Sequence, residues 1–365
     1  MIKLGENIKK YRQKKDMTQS QLAAVFGVSE QAVSRWENGN TYPDITLLPA
    51  IADYFDTSLD ELMGMENYKD EKETEKIIAT VKENERKGLI SKNIKLLTEA
   101  AKKHPTNYVI LKNLVTMLNF EYCEDESKLR SNSEKALEIS DRILNECHDK
   151  SICDFIYREK ILALNNLGRV DEAVEMAEKL PTIWDSSNVV FQHLLTGSDL
   201  KKHLKNSIAE FTDVLYWTIL SMSDLRFQDE SLSTRDRINI AKKGLDLLDL
   251  VYEGNYGGES RLVAQMNRYI AALEALEKNE DATLCHLELA VKYAIACDTL
   301  PDLVEFTSTL LSGNSYRKST TFKNYTWTEC TELNERLSQQ RYDFIRSSDR
   351  FKEIEKRISE YVTAR

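Results

Sequence analysis

An all-α fold is predicted, and three observations carry the prediction. Breakers are scarce, with 5 Pro and 12 Gly in 365 residues. Good helix formers (Leu, Lys, Glu, Ala) recur along the whole chain. Apolar residues recur at three- and four-residue spacing from end to end, and no strand pair or hairpin signal interrupts them.

The helices of the N-terminal part can be placed one by one. Leu4, Ile8 and Tyr11 share one face of a helix over about Leu4 to Lys15, with the lysines elsewhere. Thr18 caps a second helix, and Gln21 three residues on completes a capping box. Leu22, Ala23 and Phe26 form its apolar side, and Gly27 ends it in the left-handed conformation. Ser29 caps a third helix, Glu30 to about Asn38, ended by Gly39. After a loop through Asn40, Tyr42 and Pro43, Asp44 or Thr46 opens a fourth helix, with Leu48, Ile51, Ala52 and Phe55 inward and Pro49 in the first turn. Ser58 caps a short fifth helix ending near Met63.

Two short helices joined by Phe26-Gly27-Val28-Ser29 have helix-turn-helix spacing, with Ala23 small enough for close approach. The later helix presents Glu30, Gln31, Ser34 and Arg35 outward, and Val33 and Trp36 inward. Gln pairs with adenine, Arg with guanine, and Glu accepts from cytosine. Charge agrees. Residues 1–40 carry seven basic and four acidic groups, a balance of +3, which leaves −13 of the net −10 to the rest. A nucleic-acid reader needs positive charge only on the face that meets phosphate.

The run Met17-Thr-Gln-Ser-Gln-Leu-Ala-Ala-Val-Phe-Gly-Val-Ser-Glu-Gln-Ala-Val-Ser-Arg-Trp-Glu-Asn-Gly39, with Tyr42-Pro43-Asp44 and Ser58-Leu-Asp-Glu-Leu62, resembles the Cro/C1-type (xenobiotic-response-element) helix-turn-helix family. That resemblance implies a five-helix, lambda-repressor-like domain in a sequence-specific, DNA-binding transcription regulator. It implies that Ser29, Glu30, Gln31 and Arg35 stand at base-reading positions. It implies phosphate contacts from Gln19 and Asn38, and a mostly buried structural pair between Arg12 and Glu37. Lys9, Lys10, Lys14 and Lys15 either add phosphate attraction or face away.

Residues 1–66 are accordingly expected as the DNA-binding domain, 67–76 as a charged linker, and 77–365 as a helical domain for dimerisation, effector binding or both. Helices are expected near 90–103, 107–121, 131–147, 152–166, 170–179, 186–195, 203–223, 234–252, 259–277, 280–297, 301–312 and 328–341, with a last one at 349–363. Helix pairs of this length suggest an α-solenoid of antiparallel pairs. Asn165 to Pro181, with its Gly168 turn and Leu-Pro ending, resembles a tetratricopeptide repeat. Ile94 to Pro105 and Leu262 to Ala296 resemble further copies, with Ala271, Ala272, Ala275 and Ala290 at the contact. Tyr342 to Phe351 resembles a closing segment. A DNA reader joined to such an array resembles peptide-sensing regulators of Gram-positive bacteria, which implies a peptide or protein ligand in the helical groove. Asn113, Asn165 and Asn166 either meet such a ligand or are ordinary surface residues.

Other chemistries find little support. Cys147-His148-x4-Cys153 and Cys285-His286 do not make a four-ligand zinc pattern. Asn255-Tyr-Gly-Gly258 lacks the strand-then-helix context of a phosphate loop. The six cysteines form no dense framework and are read as reduced thiols. Neither a signal-peptide core nor an 18-residue apolar run is present. The expectation is a cytoplasmic homodimer on double-stranded DNA, without catalysis, cofactor, metal or membrane. The alternative is a protein–protein adaptor whose helical repeats carry the function.

Overall fold

The structure, a computed structural model, describes residues 4–63, 65–122, 125–225, 231–321 and 326–363. Two compact units emerge: Met1–Asn84 with Ile90–Leu167, and Glu85–Leu89 with Gly168–Arg365.

The first unit begins with α1 (Leu4–Lys14), α2 (Gln19–Phe26), α3 (Glu30–Glu37), α4 (Leu48–Tyr54) and α5 (Leu59–Met63). Their boundaries follow local punctuation. Thr18 and Gln21 make the reciprocal capping box of α2, and Gly27 terminates it at φ 65°. Ser29 Oγ accepts the Ala32 N–H at the start of α3. Helix α4 starts later than Asp44 or Thr46. Asp44 instead ties its own loop, accepting the Thr46 N–H and hydroxyl at 2.9 and 2.7 Å, and Pro49 sits in the first turn. The five helices enclose one core, with Leu4, Ile8, Leu22, Val33, Ile51 and Leu62 fully or nearly fully buried. Tyr11 stacks on Phe55 with ring centroids 5.7 Å apart. Gly5 permits the closest approach: a Cβ there would overlap the Trp36 carbonyl oxygen.

The charged stretch 67–76 is helical and lies within α6 (Met65–Arg86). Its Lys and Glu residues are strong helix formers, and the helix gains tertiary anchors further along. Thr74 is buried, with its hydroxyl receiving the Asn107 amide at 2.7 Å, and Val81 is in the core. The unit continues with α7 (Ile90–Lys103), α8 (Tyr108–Phe120), α9 (Glu126–Glu146) and α10 (Lys150–Asn166), each packed on the next. Helix α9 starts earlier than the periodicity implied, because Asp125 caps it by accepting the Ser127 and Lys128 N–H groups. Buried Asn93 is satisfied on both sides, donating to the Val81 carbonyl and accepting from Asn84.

The second unit holds α11 (Val170–Ala177), the short α12 (Ser187–Val190) followed by a 3₁₀ turn, α13 (Gly197–Ser223), α14 (Thr234–Tyr252), α15 (Ser260–Leu276), α16 (Glu280–Asp298), α17 (Glu329–Leu337) and α18 (Asp349–Thr363). Helices α13 to α16 pack in succession, and α16 also meets α17 and α18. Ala271, Ala275 and Ala290 are buried in the α15/α16 contact region, and Tyr342 and Phe351 pack together near the C-terminal end.

Residues 301–312 correct the expectation of a helix. Strand β1 (Leu303–Glu305) pairs antiparallel with β2 (Ser315–Arg317), placing Val304 opposite Tyr316. The apolar spacing fits either period over so short a run. Pairing with β2 decides it, helped by Asn255, which donates to the Glu305 carbonyl at 2.9 Å. Cys123 lies outside the described residues; Cys147, Cys153, Cys285, Cys297 and Cys330 are free thiols. Among the described residues, no helix is long and apolar enough to cross a membrane.

Candidate nucleic-acid interface

Helix α3 has two unlike sides. Val33, Trp36 and Glu37 are buried, while Glu30, Gln31 and Arg35 are exposed. Ser34 is half-buried, with its hydroxyl 3.5 Å from the Asn38 amide. Ser29 is exposed, and its hydroxyl oxygen serves the helix cap. The chain thus places Ser29, Glu30, Gln31 and Arg35 together on the outward side of one helix, anchored from behind by Val33 and Trp36. A helix presenting such side chains from a firmly packed back fits the width of a DNA major groove.

The support for α3 comes from α1 and α2. Arg12 Nε and Nη2 donate to the two carboxylate oxygens of Glu37 at 2.6 and 2.9 Å, and Arg12 Nη1 reaches the Met17 carbonyl. Gln19 Nε2 donates to Glu37 Oε2 at 2.8 Å. Burial works to raise the Glu37 pKa. Hydrogen bonds from Arg12 and Gln19, with the charges of Arg12 and Lys9, outweigh it and hold the carboxyl below its ordinary range. Gln19 is therefore part of the structural network, in a partly buried bond to Glu37, as well as the first residue of α2. The first-turn N–H groups of α2 lack helical acceptors and favour an anion there. Asn38 is exposed just past α3, its backbone N–H bonded to the Ser34 carbonyl.

The four lysines of α1 separate by neighbourhood. Lys9 is close enough to Glu37 to influence its ionisation, on the side where α2 begins and α3 ends. Lys10 and Lys14 act on Glu61, near α5. Lys15 donates to the Tyr54 carbonyl at 2.6 Å and lies over the Tyr54 ring. Sequence spacing alone gave no means of making this division. It also missed the protrusion of Tyr42 and Ile45, both well exposed in the loop after α3. In the helical region, Asn113 bonds its own Val109 carbonyl at 2.8 Å, and Asn165 and Asn166 are exposed.

Comparison with known proteins bears on this part of the chain. The family profile described as Helix-turn-helix matches residues 8–62. The HTH-type transcriptional activator BcrR of Enterococcus faecalis is 37% identical over 65 residues, covering 18% of this chain and 32% of that protein. Antitoxin PezA of Streptococcus pneumoniae is 34% identical over 61 residues, 17% of this chain and 39% of the relative. YqaE of Bacillus subtilis, described as an uncharacterized HTH-type transcriptional regulator, is 36% identical over 63 residues, 17% of this chain and 54% of the relative. The matches thus span about a third to a half of these curated relatives. The Bacillus thuringiensis PlcR structure, in complex with a peptide and DNA, aligns with 100% of this chain and 95% of that one at 14% identity, with a TM-score of 0.31, too loose an overlap to assign a fold. Profile, relatives and the α1–α5 geometry agree: residues 8–62 of this chain form a helix-turn-helix domain of the Cro/C1 type.

Proposed function

We propose that the chain is a sequence-specific DNA-binding transcription regulator whose α3 enters the major groove. One observation carries the reading: the exposed row Glu30, Gln31 and Arg35 stands on a helix whose opposite side is locked by Val33, Trp36 and the Arg12–Glu37 pair. Arg35 and Gln31 are the base-reading groups, with Ser29, Glu30 and Ser34 beside them; Asn38 and the α2 N-terminus at Gln19 meet phosphate. Residues 1–66 act as the reader, and 77–365 as a tetratricopeptide-like helical region for self-association and for a peptide or other ligand. Two readers in a homodimer would address half-sites one turn apart, about 34 Å. Large apolar side chains left exposed between 183 and 222, among them Trp184, Leu194, Trp217 and Met222, support a protein contact there. Such a regulator works in the cytoplasm, where bacterial DNA lies.

The test is selection of duplexes from a random pool by the purified full chain. The reading expects a paired motif, and affinity that falls steeply with salt as phosphate counterions are released. Binding with no sequence preference, alongside tight capture of a protein partner, would favour the adaptor reading instead.

A further inference from the structure

Away from α3, the first unit contains an open cavity of about 1130 Å³, walled by α6, the α7–α8 corner and the α9–α10 corner. Among its charged lining groups the acidic ones outnumber the basic: Asp70, Glu71, Glu75, Glu146 and Asp149 against Lys82 and Lys103. At its edge, Asp70 and Glu73 stand one turn apart on α6 and face His104 at the end of α7. One donor atom from each residue lies within 4.8 Å of the other two.

His104 is the informative member. Its side chain is only 10% exposed, yet Nε2 is buried without a hydrogen-bond partner. Nε2 is 3.4 Å from Glu73 Oε2, and Nδ1 is 3.6 Å from Asp70 Oδ1. The imidazole thus stands between two carboxylates, Nδ1 toward Asp70 and Nε2 toward Glu73, and a buried ring nitrogen left without a hydrogen bond is costly unless something joins it. Neighbouring ligand atoms of a tetrahedral site with bonds of about 2.1 Å lie about 3.4 Å apart. The His104–Glu73 pair already has that spacing. Asp70, 57% exposed, is free to swing onto the same centre.

We propose that Asp70, Glu73 and His104 Nε2 bind a first-row divalent cation, with water completing its coordination. Two carboxylates and one imidazole suit zinc- or manganese-like ions better than copper(I), which prefers sulfur. Lys103 holds both oxygens of Glu73 at 2.6 and 2.8 Å. Its ammonium competes with a metal ion for the same oxygens. The bound ion would cross-link α6 to the end of α7. Local spacing hid the site, because His104 sits 31 residues beyond Glu73, just past the end of a different helix.

Cobalt(II) titration of the chelator-treated full chain tests the proposal. One equivalent should bind, with d–d absorption and without thiolate charge transfer, which separates this site from Cys147 or Cys153. His104→Gln and Asp70→Asn should each weaken binding by about tenfold or more, while Lys103→Met should tighten it. Asp70 is exposed, so its variant remains informative if His104→Gln fails to fold. Absence of saturable binding, thiolate bands on the first equivalent, or unchanged affinity in Asp70→Asn would each overturn the assignment.

Discussion

Arg12 of α1 grips both carboxylate oxygens of Glu37, the last residue of α3, and Gln19 at the start of α2 donates to one of the same oxygens. One buried carboxylate thereby ties together the three helices that form the reading head. Removal of one partner leaves the other buried and uncompensated. Arg12→Ala should destabilise the N-terminal domain by about 3–5 kcal/mol. Urea unfolding followed by Trp36 fluorescence in a background with Trp184, Trp217 and Trp327 replaced by Phe measures this, and a loss under about 1 kcal/mol would mean that the pair is ornamental.

The same carboxylate makes a pH prediction. The folded-state pKa of Glu37 lies below its ordinary value of 4.5, so its contribution is complete above that pH and is lost as pH falls through the depressed folded value. The stability of Glu37→Gln should therefore vary less with acidification below about pH 4.5 than that of the native chain. Parallel acid-dependence curves for the two proteins would contradict it.

In the second unit the sign reverses. Burial, and then the charge of Asp213, raise the Glu259 pKa from 4.5 to about 7 against the opposing pull of Arg261. The folded state holds this proton where the unfolded chain has released it, so native stability declines as pH rises from 4.5 to about 7. Glu259→Gln should remove that decline, and the variant's advantage should grow across the window and level off above it. Thermal melts at a series of pH values give the answer; an advantage independent of pH would refute the assignment.

Gly5 yields a packing prediction. Any Cβ at this position meets the Trp36 carbonyl oxygen, a backbone atom that cannot swing aside. Gly5→Ala should destabilise the domain by about 3 kcal/mol, toward the upper end of overpacking effects. An unchanged melting transition would show that α1 can shift on α3 without penalty.

Legibility in the sequence followed the range of the deciding interaction. Thr18, Gln21, Gly27 and Ser29 act within three or four residues, so α2 and α3 could be placed from them directly. The Arg12–Glu37 pair came through family resemblance, since nothing local joins residues 25 apart. The meaning of Gly5 depends on Trp36, and the hairpin over 303–317 depends on a strand partner and on Asn255. Those relationships are tertiary, and helix periodicity is blind to them. Gln19 is intermediate: its place at the head of α2 was readable, but its bond to Glu37 was not.

The lysines of α1 should differ in their effect on DNA affinity. Lys9 acts on Glu37 at the end of α3, whereas Lys15 is held at Tyr54. If Lys9 meets phosphate, Lys9→Ala should lower the slope of log affinity against log salt by about 1, and Lys15→Ala should leave it unchanged. Equal slopes in both variants would move the phosphate track elsewhere.

The central claim, that the outward side of α3 reads base edges, is tested most directly by fluorescence-anisotropy titration of Arg35→Ala against the selected duplex and its single-base variants. Loss of about 1–3 kcal/mol on the selected duplex, with discrimination relaxed at one base pair and the thermal melt unchanged, is the predicted result. Full affinity with intact discrimination at every position would contradict it.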